Sequence, residues 1–233
     1  MTILNIETST SICSVAVTID GISVASREKL FEVNHASDVS VFIEQLLFEV
    51  RTNGWHLDAV ALSRGPGSYT GLRIGSSIAK GICYGLKIPL IQVDTLQVLC
   101  ASIPSQQLPI GVTLCPMLDA RRMEVYTALY ELDETGAIRP LSDVEAKIID
   151  ANSYADIIQS KPICFFGNGA MKCKDIITAK NALFIDDVVP LAKYMGPLAE
   201  SQTSLLDVKE MAYYEPFYLK DFVAAPSHIK GLK

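Results

Sequence analysis

The sequence predicts a two-domain α/β protein whose mixed sheets carry helices on their faces. Three observations lead there. Short β-rich runs open the chain back to back and only afterwards alternate with helical stretches. Two long segments repeat their apolar residues at helical spacing. A polar stretch with two prolines at 102–110, SIPSQQLPI, parts the chain near its middle. The expected domains are therefore 1–103 and 104–233, with a C-terminal tail able to pack back on the first.

The elements follow in order. ILNIET and ICSVAVTI are β-rich runs separated by Thr8-Ser9-Thr10-Ser11, and ISVASREKL follows across Asp20-Gly21, a tight-hairpin dipeptide. Residues 36–51 place apolar side chains at 39, 42, 43, 46, 47 and 50, which is helical spacing. LDAVALS then reads as a buried strand, GPGSYTG as a loop, LRIGSSIAKGICYGLK as a helix and PLIQVD as a strand. Beyond the divide, VTLCPMLDA and EVYTALYELD read as strands, ANSYADIIQS as a helix, ICFFGNG as strand into loop, and ALFIDDVV as a last strand. Three antiparallel strands followed by alternating helices and strands are how the sheets of ribonuclease-H and actin-like folds begin.

Composition narrows the class. Hydrophobic residues make up 49% and charged residues 20%, ample for a core. The opening MTILNIETSTS lacks the basic start and apolar run of a signal peptide, and no window reaches the roughly 20 apolar residues of a membrane helix. A soluble cytoplasmic protein without membrane contact is expected. The six cysteines stand far apart with no C-x-x-C pair and read as buried, reduced thiols. A formal net charge of −6, with Arg121-Arg122 the one basic cluster, argues against a protein that grips nucleic acid alone.

GPGSYTG, from Gly65 to Gly71, lies between an apolar strand and a helix, where a glycine loop can hold phosphate. No Gly-Lys-Ser/Thr follows, so it is not a Walker loop. Its spacing misses G-x-G-x-x-G by one residue. Asp94, 23 residues past Gly71, nevertheless stands where a ribose-binding acid would in a dinucleotide fold. Glu7, Thr8, Ser9 and Thr10, with Gly65 and Gly67, are the nucleotide-binding candidates. A plain polar turn is the competing reading of Glu7–Thr10. A ribonuclease-H-type nuclease would need several converging carboxylates, with Asp58, Asp94 and Asp119 available beside Glu7.

The helix behind the loop is rich in small residues. Gly71, Gly75, Ala79 and Cys83 fall four apart, as do Ser77, Gly81 and Gly85, with Ile74, Ile78, Ile82 and Leu86 between them. Each interior glycine costs roughly 1 kcal/mol relative to alanine. Either tight packing within the chain or close approach of a partner accounts for them. His35, His56 and His228 form no metal-ligand spacing, and no G-x-S-x-G elbow is present. Asp119-Ala120-Arg121-Arg122 stands open between a ligand contact and a surface salt-bridge group.

Taken together, ILNIETSTSICSVAV, NHASD, GPGSYTGLRIGSSIAKGICYGLKIPLIQVDTL, MLDARRMEVY, FFGNGA and EPFYLKD resemble the TsaB family, also called YeaZ. The resemblance implies an actin-like ATPase fold of two related α/β domains, the second reduced. It also implies a non-catalytic subunit acting through TsaD and TsaE, which install threonylcarbamoyl on N6 of adenosine 37 in tRNAs reading ANN codons. A stand-alone nucleotide-binding enzyme or a peptidase of the same superfamily is the alternative. The metal-binding H-x-x-x-H of TsaD is matched here by Thr95 and Leu99, which do not ligate a catalytic metal. The second domain keeps only Gly167-Asn168-Gly169 of the nucleotide signature.

By resemblance the two N-terminal helices make the contact with TsaD. The candidate residues are Val39, Phe42, Ile43, Leu46, Gly71, Gly75, Ile78, Ala79 and Ile82. Self-association through the same surface, ATP or ADP held only at the partner boundary, and indirect contact with tRNA are the further expectations.

Overall fold

A computed structural model of the chain describes residues 1–30, 34–104, 108–109 and 111–220, with His35 described in its backbone alone. The first sheet opens with β1 (Thr2–Glu7), β2 (Cys13–Ile19) and β3 (Ile22–Lys29), an antiparallel meander. Asp20 and Gly21 both take positive φ, 48° and 75°, so the expected tight turn is present. α1 (His35–Thr52) leads to β4 (Ala59–Ser63), and α2 (Tyr69–Leu86) leads to β5 (Leu90–Val93). β4 lies parallel to both β1 and β5. α3 (Thr95–Ala101), which the sequence reading passed over, closes the unit.

The second sheet repeats this plan. It contains β6 (Thr113–Asp119), β7 (Glu124–Thr127), β8 (Tyr130–Leu132), β9 (Ile138–Pro140), β10 (Glu145–Ile148), β11 (Ile163–Phe166) and β12 (Ala182–Ile185), with the short helix α4 (Ala155–Ile158) before β11. Its order, β10-β7-β6-β11-β12, matches the β3-β2-β1-β4-β5 of the first sheet. Two mixed α/β sheets of one topology are the expected actin-like ATPase architecture.

The differences from the sequence reading have local causes. EVYTALYELD is two strands, because β6 pairs with β7 through Met117–Asp119 and with β8 at Leu114. β9 was missed because Pro140 breaks the strand pattern, and it pairs only with β8, where a proline costs no ladder bond. ANSYADIIQS yields one helical turn. Tyr154 takes φ 64°, and Asp150 binds the Asn152 amide and Ser153 hydroxyl, holding 150–154 as a turn.

After β12 the chain returns to the first sheet. α5 (Gly196–Glu200) packs near β3 and β5, and β13 (Leu205–Leu206) pairs antiparallel with β5. The Ala192 amide donates to Ser14 Oγ at 2.8 Å, and the Gly21 amide to Glu200 Oε1 at 2.9 Å. One face of the first sheet buries Leu4, Ile6, Val15 and Leu62 under Val39, Ile43 and Leu46 of α1 and Ala79 and Cys83 of α2. The other buries Ile3, Ala16, Ala61 and Val93 under Val98, Ala192 and Met195. Burial on both faces explains why these strands read as unbroken apolar runs. All six cysteines are buried, and burial pushes the thiols of Cys13, Cys83 and Cys164 up to about 12.

Candidate functional site

Parallel pairing of β1, β4 and β5 brings their C-terminal ends together, where open α/β sheets place ligands. Two loops leave that edge: Thr8–Ile12 after β1, and Arg64–Ser68 after β4. They clasp each other. The Ser68 amide donates to the Ser9 carbonyl at 2.6 Å, and Thr8 Oγ1 donates to the Gly71 carbonyl at 2.9 Å. A methyl added to Gly67 would strike the Ser9 carbonyl oxygen. One at Gly71 would strike the Thr8 carbonyl oxygen, and one at Gly75 the Thr8 hydroxyl. The glycines thus admit the neighbouring backbone of the same chain. Ser68 caps α2 by accepting from the Gly71 amide at 3.2 Å.

This arrangement corrects the phosphate-loop reading. Glu7, Thr8, Ser9 and Thr10 are buried, and the cradle at Gly67 is filled by Ser9. The residues present do not fit a nucleotide phosphate at this loop pair. The dinucleotide reading fails too, because the first sheet is mixed and Asp94 is tied to Arg64, Nε to Oδ1 at 2.7 Å.

Among the described residues Glu7 is the one carboxylate held fully inside. Its Oε1 accepts from the Ser9 amide at 2.6 Å and from Ser9 Oγ at 2.5 Å, while Oε2 has no partner. Desolvation raises its pKa from 4.5 to about 7, against the pull of the Ser9 bonds and of the neighbouring Ser63 hydroxyl. The native state therefore binds this proton more tightly than the unfolded chain. Its stabilising effect is complete below about pH 4.5 and is lost as pH rises to about 7. At about 1.4 kcal/mol per pH unit the span is on the order of 3 kcal/mol. Glu7→Gln is expected to leave stability near pH 4.5 almost unchanged and to raise it by about 1–3 kcal/mol at pH 8, read by urea unfolding at both pH values. Equal effects at the two pH values would show that folding does not raise the Glu7 pKa.

A cavity of about 330 Å³ lies past the ends of β4 and β5, lined by Arg64, Asp94, Gln97, Tyr130 and Ser142 among others. Phe217 covers one side. Its amide donates to the Arg64 carbonyl at 2.7 Å, and its ring lies 5.6 Å from the Arg64 guanidinium. Gly65, at φ 116°, admits the Phe217 carbonyl oxygen, which a Cβ would approach to 2.5 Å. Nearby, the Tyr218 ring lies tilted against that of Tyr69, centroids 4.9 Å apart, and Lys80 Nζ donates to the Tyr214 carbonyl at 2.7 Å.

The helix candidates divide sharply. Val39, Ile43, Leu46, Gly71, Gly75 and Ala79 are buried against the chain's own sheet and loops, so they present no surface to a partner. Phe42, Ile78 and Ile82 are half-buried. The outer surface belongs to other residues: Val41, Phe48 (66% exposed), Tyr84 (72% exposed) and Leu86. Gly81 and Gly85 have no atom within 4 Å of an added Cβ. Of the two small-residue rows in the sequence, Gly71-Gly75-Ala79-Cys83 faces inward and Ser77-Gly81-Gly85 is open.

The carboxylates do not gather. Asp58 accepts from the Thr2 amide, Asp94 pairs with Arg64, and Asp119 lies in the second sheet beside Lys172. Among the described residues no set of three His, Cys, Asp or Glu stands close enough to hold a metal. Thr95 and Leu99 are buried in α3. His56 is exposed, while His228 and the His35 side chain lie outside the described residues. No described helix is long and apolar enough to cross a membrane.

The chain matches the TsaD family, tRNA N6-adenosine threonylcarbamoyltransferase, over residues 28–225. It is 32% identical over 228 residues to the tRNA threonylcarbamoyladenosine biosynthesis protein TsaB of Escherichia coli, with 96% of each chain covered. The Bacillus subtilis protein of the same name is 27% identical over 202 residues, covering 86% of this chain and 82% of that one. In structure the chain is similar to YeaZ from Pseudomonas aeruginosa, with a TM-score of 0.76 at 23% identity over 94% of this chain and 99% of that one.

Proposed function

The chain belongs to the TsaB (YeaZ) family of tRNA threonylcarbamoyladenosine biosynthesis proteins, and we propose that within that pathway it is a non-catalytic subunit that docks on and activates a TsaD homologue. The carrying observation is the open side of α2. Gly81 is exposed inside the helix, at a cost of roughly 1 kcal/mol relative to alanine, and Gly85 is exposed in its last turn, and neither has a neighbour among the described residues that requires a missing Cβ. Exposed Tyr84 and Leu86 flank them, and α1 adds Val41 and Phe48. Aromatic residues around a shallow groove are what a helix of a partner packs against.

The rest of the reading follows from the occupied loops. Glu7–Thr10 and Gly65–Gly67 bind each other, and Thr95 and Leu99 stand where TsaD-type metal ligands are expected, which supports a subunit that leaves the chemistry to its partner. ATP or ADP then binds only at the boundary with a partner. A TsaE homologue joins the same assembly, tRNA is met through the complex, the isolated chain pairs with itself over α1 and α2, and the complex works in the cytoplasm.

Calorimetric titration of the TsaD homologue of the same organism into the chain tests this reading. Saturable binding with micromolar or tighter affinity is expected, together with no heat from ATP or ADP added to the chain alone. Tight nucleotide binding with turnover by the isolated chain would favour the stand-alone enzyme.

A further inference from the structure

The turn from β6 to β7, residues 120–123, is unusual in its backbone. Arg121 and Arg122 take φ values of 69° and 50° in succession. That left-handed region is sterically disfavoured for L-residues and is normally given to Gly, Asn or Asp. Here it holds the only adjacent basic pair in the sequence.

The turn is braced from beneath. Asp119 Oδ1 accepts from the Arg121 amide at 2.9 Å, and the Asp119 amide donates to Asn168 Oδ1 at 2.9 Å. Lys172 pairs with Asp119 and donates to the carbonyls of Arg122 and Glu124 at 2.8 and 2.7 Å. Gly169 lies so close that an added Cβ would stand 2.9 Å from the Leu118 carbonyl carbon.

The nearby carboxylates are engaged elsewhere, Asp119 with Lys172 and Glu124 with Lys220. Both arginines are exposed, and neither guanidinium forms an ion pair among the described residues. Two cations therefore stand at the tip of a braced turn with no ion-pair partner among the described residues.

We propose that this turn contacts the tRNA backbone in the assembled complex, with the Arg121 and Arg122 guanidiniums binding phosphate oxygens. The proposal rests on the subunit reading above. Arginine offers two parallel N–H groups that match a phosphate, and phosphate contacts dominate RNA affinity. With a net charge of −6 the chain as a whole repels RNA, so the contact forms only once the partner holds the tRNA. The turn belongs to the second sheet, while the proposed docking face lies on α1 and α2 of the first.

The test is tRNA affinity of the complex with the TsaD homologue, measured across a series of salt concentrations. The variant is Arg121→Gly/Arg122→Gly, because glycine accepts the left-handed backbone while removing both cations. Arg139→Ala, which removes an exposed arginine already paired with Asp133, is the charge control. The double variant is expected to melt no lower than wild type and to bind the TsaD homologue normally. Its tRNA affinity should fall about 3–10-fold, and the salt slope by about 1 for each lost phosphate contact. The control should change neither.

An intact complex with unchanged tRNA affinity and salt slope would overturn the proposal alone. Loss of affinity for the TsaD homologue with tRNA binding preserved would overturn it in favour of a protein contact. A wild-type chain that forms no complex would overturn the subunit reading and this one with it.

Discussion

Gly71→Ala is expected to destabilise the chain by about 3 kcal/mol or more, lowering its melting temperature by roughly 10 °C or preventing folding. The added methyl would strike the Thr8 carbonyl oxygen, a backbone atom at the end of a central strand with no freedom to swing aside. The same contact region carries the bonds from Thr8 Oγ1 to the Gly71 carbonyl and from the Ser68 amide to the Ser9 carbonyl. Ten residues on, Gly81→Ala meets nothing within 4 Å and is expected to stabilise the helix by about 1 kcal/mol. Thermal and urea unfolding of the two variants side by side check this opposition. A mild effect at Gly71 would mean that the two loops do not clasp as described.

Phe48→Asp and Gly81→Trp are expected to weaken binding of the TsaD homologue by about 30-fold or more each, while the folded chain melts within a few degrees of wild type. Phe48 is 66% exposed and contributes little to the core, so its loss acts at an interface or nowhere. Gly81 faces open space among the described residues, so tryptophan fits the free chain and obstructs only a partner seated on that face. The isolated chain should also lose self-association in sedimentation, since the proposed face is the same for both contacts. Normal affinity in both variants would move the docking surface away from α1 and α2.

These expectations also mark what the residues alone could carry. The Asp20-Gly21 hairpin, the helical spacing in α1 and α2, and the apolar runs of β1, β2 and β4 are local patterns, and each became the element it predicts. The split between β7 and β8 was not local, because it depends on where β6 changes partner. At the candidate site, the sequence displayed both small-residue rows on α2 but not their directions. The inward row is selected by Thr8, 63 positions away from Gly71. The interface list drawn from apolar periodicity accordingly gathered buried residues such as Val39 and Leu46, since that periodicity reports the core-facing stripe. Phe48 lies outside that stripe, and only its exposure identifies it. The strained pair Arg121-Arg122 was visible as a charge cluster, while its left-handed backbone required the braced turn beneath it.

The most direct measurement is the yield of threonylcarbamoyladenosine in tRNA from a reconstituted reaction with the TsaD and TsaE homologues of the same organism, with and without this chain. Modification is expected only when the chain is present with its partners, to saturate near equimolar chain, and to fall with Gly81→Trp. The chain alone is expected to modify nothing. Equal modification without the chain, or modification by the chain by itself, would contradict the account of a non-catalytic activating subunit.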